Sequence, residues 1–408
     1  MTGTDAAPSP GGAASDHLLA QVVREESARI VAALTASLRN LDLAEEAVAD
    51  AVEEALREWR VRGIPPNPGG WLTQAARHNA LDRLRRERRY REKLALLDPP
   101  TSETEMDERL PLLFGCCHPA LPPDAQLALT LRAICGLTTA QIARATLSPT
   151  TTVAQRIVRA KRKMGAAGVP IRIPEGSERA ERLDIVLTVI SVMYGQAHLV
   201  DGGDAAADRD LAEDALWLAR VVAGALPGEA EAHGLLALLL FHRAREDARA
   251  VDGELVLLAD QDRGRWDAGL IGQAHRELER AAALRRPGRW QLHAAIAACH
   301  ADARSAGDTD WPQVLVLYDM LLGHDRSPIV RLNRAVALAE VAGPQVALRE
   351  VEQLRSDLAQ YHLWHAVRAH LLRRLGRTDE ASEADLHALE LTANQAERRL
   401  IASRLREG

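Results

Sequence analysis

Residues 138–164 read TTAQIARATLSPTTTVAQRIVRAKRKM, and the alternation of helix and turn in this stretch decides the fold class of the chain around it. Gln141, Ile142 and Ala143 belong to a short helix, Leu147-Ser148-Pro149 makes a turn, and a second helix opening near Thr150 ends in Arg159, Lys161, Arg162 and Lys163. Apolar Ile142, Ala143, Leu147, Val153 and Ile157 recur at the spacing of a helix-turn-helix. In that motif the first turns of the second helix reach base edges and later cations clamp phosphates. Thr151, Thr152, Gln155 and Arg156 fall on those first turns. An arginine can bond both acceptors of a guanine, and a glutamine can pair with adenine. Most basic runs are solvated helix ends, but the apolar spacing argues against that reading here.

Two further charged segments lie upstream. Residues 83–93, RLRRERRYREK, hold seven basic and two acidic side chains. They continue a helix that begins near Trp71, whose Trp71, Leu72, Ala76, Leu81 and Leu84 form an inward stripe while the cations follow a phosphate backbone. The preceding helix, from Asn40 to about Trp59, has the opposite charge: Asp42, Glu45, Glu46, Asp50, Glu53, Glu54 and Glu58 stand with Arg57 alone. Several are three or four residues apart, so they repel on a shared face unless a basic partner or solvent covers them. Between these helices RGIPPNPGG, residues 62–70, breaks the chain.

The full chain of 408 residues exceeds what one hydrophobic core supports. Its Ala, Leu, Arg and Glu content predicts an all-α protein: two small helical domains, the second a helix-turn-helix, followed by a helical-repeat domain. The expected organisation is a disordered segment over 1–16, a first domain over 17–97, an acidic Pro-containing linker over 98–108, a second domain over 109–165, a linker over 166–178 and an extension over 179–408. In the first 165 residues 22 Lys and Arg face 20 Asp and Glu, so the overall charge of −6 sits in the extension. No uncharged apolar stretch of membrane-spanning length and no signal pattern occurs, which predicts a cytoplasmic protein without a membrane partner. Cys116, Cys117, Cys135 and Cys299 form no CxxC pair and suit reduced packing thiols.

WLTQAARHNALDRLRRERR, from Trp71, resembles the promoter-melting and minus-ten segment of extracytoplasmic-function sigma factors. DLAEEAVADA, from Asp42, resembles their polymerase-binding helix, and residues 138–164 resemble their minus-thirty-five reader. The three motifs occur in the family's order. The resemblance implies that Asp42, Glu45, Glu46 and Asp50 contact the clamp helices of the largest subunit of RNA polymerase core, with the flap as a further contact. It implies minus-ten contacts from Trp71, Arg77, His78, Asn79, Asp82, Arg83, Arg85 and Arg86. Minus-thirty-five contacts would come from Thr151, Thr152, Gln155, Arg156, Arg159, Lys161 and Arg162, with Thr152, Val153 and Arg156 matching the core of that helix. His78 stands where many relatives have Asn, which leaves Asn79 as the substitute base reader, and Ala49 stands where many have Gln.

The extension contains a near-repeat. Pro328 and Tyr361 each open a helix, Gly343 and Gly376 each close one, and both spacings are 33 residues, close to the tetratricopeptide period. The segment LLRRLGRTDEASEADLHALEL resembles that family, and NQAERRLIASRLRE at the C-terminus reads as a cap with Leu400, Ile401 and Leu405 inward. DGELVLLADQDRGRWD, residues 252–267, fits no helical repeat and reads as an inserted loop or strand pair. Its acids and arginines suggest an internally salt-bridged turn, with an ion or ligand site as the alternative. The whole chain resembles the sigma-factor branch with a tetratricopeptide-like extension, in which the extension regulates or supports activity; a protein or ligand partner for it stays open.

Cys116, Cys117 and His118 are adjacent rather than spaced for chelation, and Cys299-His300 lies in an apolar helix, so no metal or other cofactor is expected. Nor does any catalytic motif occur, so the function expected is promoter recognition and transcription initiation without enzymatic activity. The rival is a helix-turn-helix activator with a helical-repeat sensor outside polymerase, which would need no acidic docking helix.

Overall fold

In the computed structural model, helix α1 covers residues 26–38 and α2 covers Leu41–Arg62. The structure describes residues 26–38, 40–86, 109–146, 148–196, 205–251, 254–392 and 394–407. Asn40 caps α2 by accepting from the Leu43 amide at 3.1 Å, which satisfies one of the orphan donors of the first turn. Leu41, Ala44, Val48, Ala51, Ala55 and Trp59 bury one stripe of α2 at helical spacing, which leaves the acids on the other faces. Among the described residues the chain is all-α apart from one short hairpin, and it divides into two units between Met193 and Tyr194. No helix among the described residues is long and apolar enough to cross a membrane.

Helix α3 spans Pro68–Arg86 and packs along α2. It therefore starts three residues earlier than Trp71, because a proline in the first turn loses no helical hydrogen bond and has the required φ. Leu72 and Ala76 are buried as the stripe predicts, whereas Trp71 and Leu81 are only half-buried. Residues 87–97 of the predicted helix, the disordered segment over 1–16 and the linker over 98–108 lie outside the described residues.

Helices α4 (Arg109–Cys116), α5 (Pro123–Ala133), α6 (Thr139–Ala145) and α7 (Thr150–Ala167) form the second cluster of the first unit. Val153, Ile157, Ala160 and Met164 make the buried stripe of α7, and α7 packs on both α5 and α6. Gly168, at φ +60, closes α7 in the left-handed conformation that glycine adopts without strain. Residues 166–178 then run as the end of α7, a packed segment and the start of α8 (Gly176–Gln196). A Cβ on Gly115 would lie 2.7 Å from the Ile171 side chain, and Arg182 of α8 is buried, donating to the Phe114 carbonyl and to Glu178 at 3.1 Å. Cys116 and Cys117 are fully buried beside these contacts, and burial pushes the Cys117 thiol up to about 12.

The second unit runs through α9 (Ala205–Ala225), α10 (Ala230–Ala244), the hairpin β1 (Ala250–Val251) and β2 (Glu254–Leu255), α11 (Ala268–Ala283), α12 (Arg289–Asp302), α13 (Trp311–Leu321), α14 (Pro328–Ala342), α15 (Pro344–Gln353), α16 (Arg355–Leu358), α17 (His362–Arg374), α18 (Thr378–Leu391) and α19 (Gln395–Glu407). Neighbouring helices pack in succession, α10 on α11 and α12, α13 on α14, α14 on α15 and α17 on α18. Pro328 and Tyr361 open α14 and α17 as read, and Gly343 and Gly376 follow them at φ +88 and +73. A core of Leu332, Ala335, Leu348, Val351, Trp364 and Leu372 joins the two pairs.

The inserted segment carries the second strand of the antiparallel hairpin, and its DQDRGRWD stretch, residues 260–267, holds a 3-10 turn over Arg263–Arg265. The salt-bridged turn expected there is absent among the described residues. Its acids cap backbone donors instead: Asp262 accepts from the Gly264 amide and Asp267 from Leu270, each at 2.9 Å. Helix α19 does more than cover α18, since it also packs on β2, with Arg399 3.2 Å from Glu254.

Candidate nucleic-acid interface

Helix α7 divides cleanly. Its buried stripe fixes the motif, while Thr151, Gln155, Arg159, Arg162 and Lys163 are exposed on the opposite side and Thr152 is half-buried at the edge. Val153 is fully buried, so it sets the position of the helix and cannot reach a base. The backbone of the turn is held by the Ser148 amide donating to the Ala143 carbonyl at 2.9 Å and by Val153 donating to Pro149 at 3.1 Å. Gln141 bonds back to Thr138 at 2.8 and 2.9 Å, capping α6 rather than facing outward.

Two of the α7 cations read as DNA contacts are engaged elsewhere. Arg156 is held 2.8 Å from Asp124 on α5, which leaves its side chain 20% exposed. The Lys161 Nζ lies 2.8 Å from Asp42 and 2.6 Å from Glu45, with the Lys161 side chain 13% exposed. Burial pulls the Lys161 ammonium down, but the two carboxylates outweigh it and leave its pKa raised. In this arrangement Lys161 is a counterion of α2 and is not turned to a phosphate.

The rest of the acidic face is covered from α3. Arg83 donates to Asp50 at 3.1 and 2.8 Å and also to Glu46. All four acids of the docking segment are thus paired within the chain, each with a cation that sequence reasoning assigned to DNA. Sequence spacing could not reveal this, because the partners are 33 to 119 residues apart. Of the remaining acids of α2, Glu53 pairs locally with Arg57 and Glu58 with Arg62.

Along α3, Trp71 meets Trp59 edge to face at 5.5 Å, His78 lies 3.4 Å from Asp82, and Arg77 and Asn79 are half-buried. Arg85 and Arg86 end the helix, and their side chains lie outside the described residues. Trp71, Arg77, His78, Asn79 and Asp82 occupy one continuous stretch of helix whose first residue is anchored by the Trp59 ring.

Lys161→Ala should lower the stability of the first unit by about 1–3 kcal/mol, because Glu45 is largely buried and its Oε1 already has no hydrogen-bond partner. An exposed pair would contribute only about 0–1 kcal/mol. Denaturant midpoints of the two proteins measure the difference, and an unchanged midpoint would make the contact a surface pair.

These features define a helical protein built to bind DNA through a helix-turn-helix, with an acidic helix held beside it. The chain belongs to the sigma-70 proteins, of the extracytoplasmic-function-like type with a C-terminal extension. Residues 22–90 match sigma-70 region 2, residues 112–164 match sigma-70 region 4, and residues 182–282 match a family of unknown function, DUF6596. An uncharacterized protein of Rhizobium meliloti (strain 1021) is 40% identical over 387 residues, covering 91% of this chain and 92% of its own. No solved structure matches. A role in promoter recognition follows from the two sigma regions, with RNA polymerase core and promoter DNA as the partners.

Proposed function

We propose that the protein brings RNA polymerase core to its promoters by docking α2 on the clamp helices, holding the minus-ten element along α3 and reading the minus-thirty-five element with α7. The observation that carries this reading is the acidic face of Asp42, Glu45, Glu46 and Asp50, whose present counterions are cations of the two DNA segments. A free activator of the helix-turn-helix type has no use for such a face. Docking on core must exchange Lys161 and Arg83 for basic groups of polymerase, and the same exchange releases both cations toward DNA phosphates. Binding core and becoming competent for DNA are then one step. The extension, a tetratricopeptide-like array, regulates or supports that step, and the protein acts in the cytoplasm, without catalytic chemistry of its own.

In vitro transcription with purified core polymerase and a promoter library tests the reading: promoter-specific initiation is expected, and its absence with active core would overturn it. Within that assay Arg156→Ala should cost about 1–3 kcal/mol of binding and relax preference at one promoter position. Equal losses on specific and random DNA would move Arg156 from base reader to structural partner of Asp124.

A further inference from the structure

The second unit contains a cationic cluster that promoter recognition does not use. Two 3-10 turns pack against each other there, Glu246–Ala248 and Arg263–Arg265. Arg245 and Arg249 flank the first, and Arg263 opens the second. The hairpin locks the register, since the Val256 amide donates to the Arg249 carbonyl at 2.8 Å, and the Asp267 amide ties the second turn to the end of α10 through the Ala244 carbonyl at 2.8 Å.

None of these three guanidiniums meets a carboxylate among the described residues. Among the described residues the Arg245 guanidinium reaches the His242 ring, at 3.2 Å. The Arg249 side chain is half-buried and makes no hydrogen bond or ion pair there. Arg263 donates to the His300 and Ala303 carbonyls at the end of α12 and lies 4.3 Å over the Trp266 ring. Its Nε is buried without a partner, as is the indole Nε1 of Trp266. Of the nearby acids, Glu213 and Glu246 are committed to Arg243, Asp262 to the Gly264 amide and Asp302 to His275 at 2.8 Å.

Like charges gathered out of water, with no carboxylate partner among the described residues, are costly unless an anion joins them. The electrostatics agree: burial lowers Arg245 to about 10, with Arg249 and Arg263 adding to it. Burial, Arg263 and Arg245 hold His300 down at about 4, so it stays neutral and contributes no further charge. Tyr194 faces Arg249, Arg243 and Arg245, and burial pushes it up to about 12, so it keeps its hydroxyl proton as a donor.

We propose that Arg245, Arg249 and Arg263 form a binding site for the phosphate group of a small phosphorylated molecule. The guanidinium fork matches two oxygens of a phosphate, and a doubly charged group balances several such forks where a single carboxylate would not. The site is a ligand input to the extension, and it stands independently of how the first unit reads promoters.

The test uses the full chain and inorganic phosphate, titrated against sodium chloride at constant ionic strength, with phosphate binding followed by phosphorus NMR and by thermal melting. Saturable binding and a rise in melting temperature beyond that in chloride are expected. Arg249→Gln should weaken the phosphate midpoint by tenfold or more, as should Arg263→Gln, whereas Arg349→Gln, an exposed arginine on α15, should leave it unchanged. Without phosphate, Arg249→Gln should melt no lower than the parent, because it removes a charge that has no partner among the described residues. Should Arg263→Gln fail to fold for want of its carbonyl contacts, Arg249→Gln and the parent titration still decide. Phosphate acting no better than chloride, or equal losses in all three variants, would overturn the site.

Discussion

Reversing Glu46 and Asp50 to Lys should reduce the affinity for core polymerase by more than tenfold, as measured by equilibrium binding of labelled protein. Reversed charges at a docking face slow association and create like-charge contacts. The same double change sets two lysines against Arg83, which now bonds both acids, so loss of binding alone would not separate docking from folding. Adding Arg83→Glu separates them, because it rebuilds the internal pair with the signs exchanged. The triple variant should regain the parent's melting temperature and still fail to bind core. If it binds normally, the acidic face is solvated surface and docking lies elsewhere on the first unit.

Deleting residues 394–408 should give the largest change in stability. Helix α19 buries Ile401, and Arg398 donates to the Leu389 and Thr392 carbonyls at 2.6 and 3.1 Å, which satisfies the end of α18. Glu397 accepts from the Thr392 hydroxyl at 2.6 Å and lies 3.0 Å from His362 on α17. A terminal helix in an array of paired helices closes an apolar face that has no other neighbour, and loss of one buried Ile alone costs about 2–5 kcal/mol. Two melting transitions are expected for the parent, and the truncation should lower only that of the extension. Because α19 also packs on β2, the truncation should loosen the hairpin that positions Arg249 and weaken the phosphate response. A single unshifted transition would remove α19 from the role of cap.

Transcription with the truncated chain then reports on coupling between extension and promoter recognition. A changed yield, in either direction, is expected. An extension that melts separately, and whose complete removal near residue 175 leaves transcription unaltered, would sink the regulatory role.

The sequence by itself determined the helices and the motif that turns them. Asn40, Pro149, Gly343 and Gly376 act within one turn of backbone, so their consequences can be read from a few neighbouring letters. The helical spacing of Val153 and Ile157 likewise identifies the buried side of α7 without knowing what it packs against. The order of acidic, basic and helix-turn-helix segments was enough to identify the family.

What faces those surfaces was decided only by tertiary structure. Ion pairs depend on distance through space, and no local rule connects Lys161 with Asp42 and Glu45, Arg83 with Asp50, or Arg156 with Asp124. The same holds for the DQDRGRWD segment, whose alternation of acids and arginines suggested internal pairing. Short-range backbone donors captured the acids first, since an Asp two or three residues before an amide needs no long side chain ordered to reach it. Arg263 was left to the packing of two turns, and only that packing brings it toward Arg245 on the other turn.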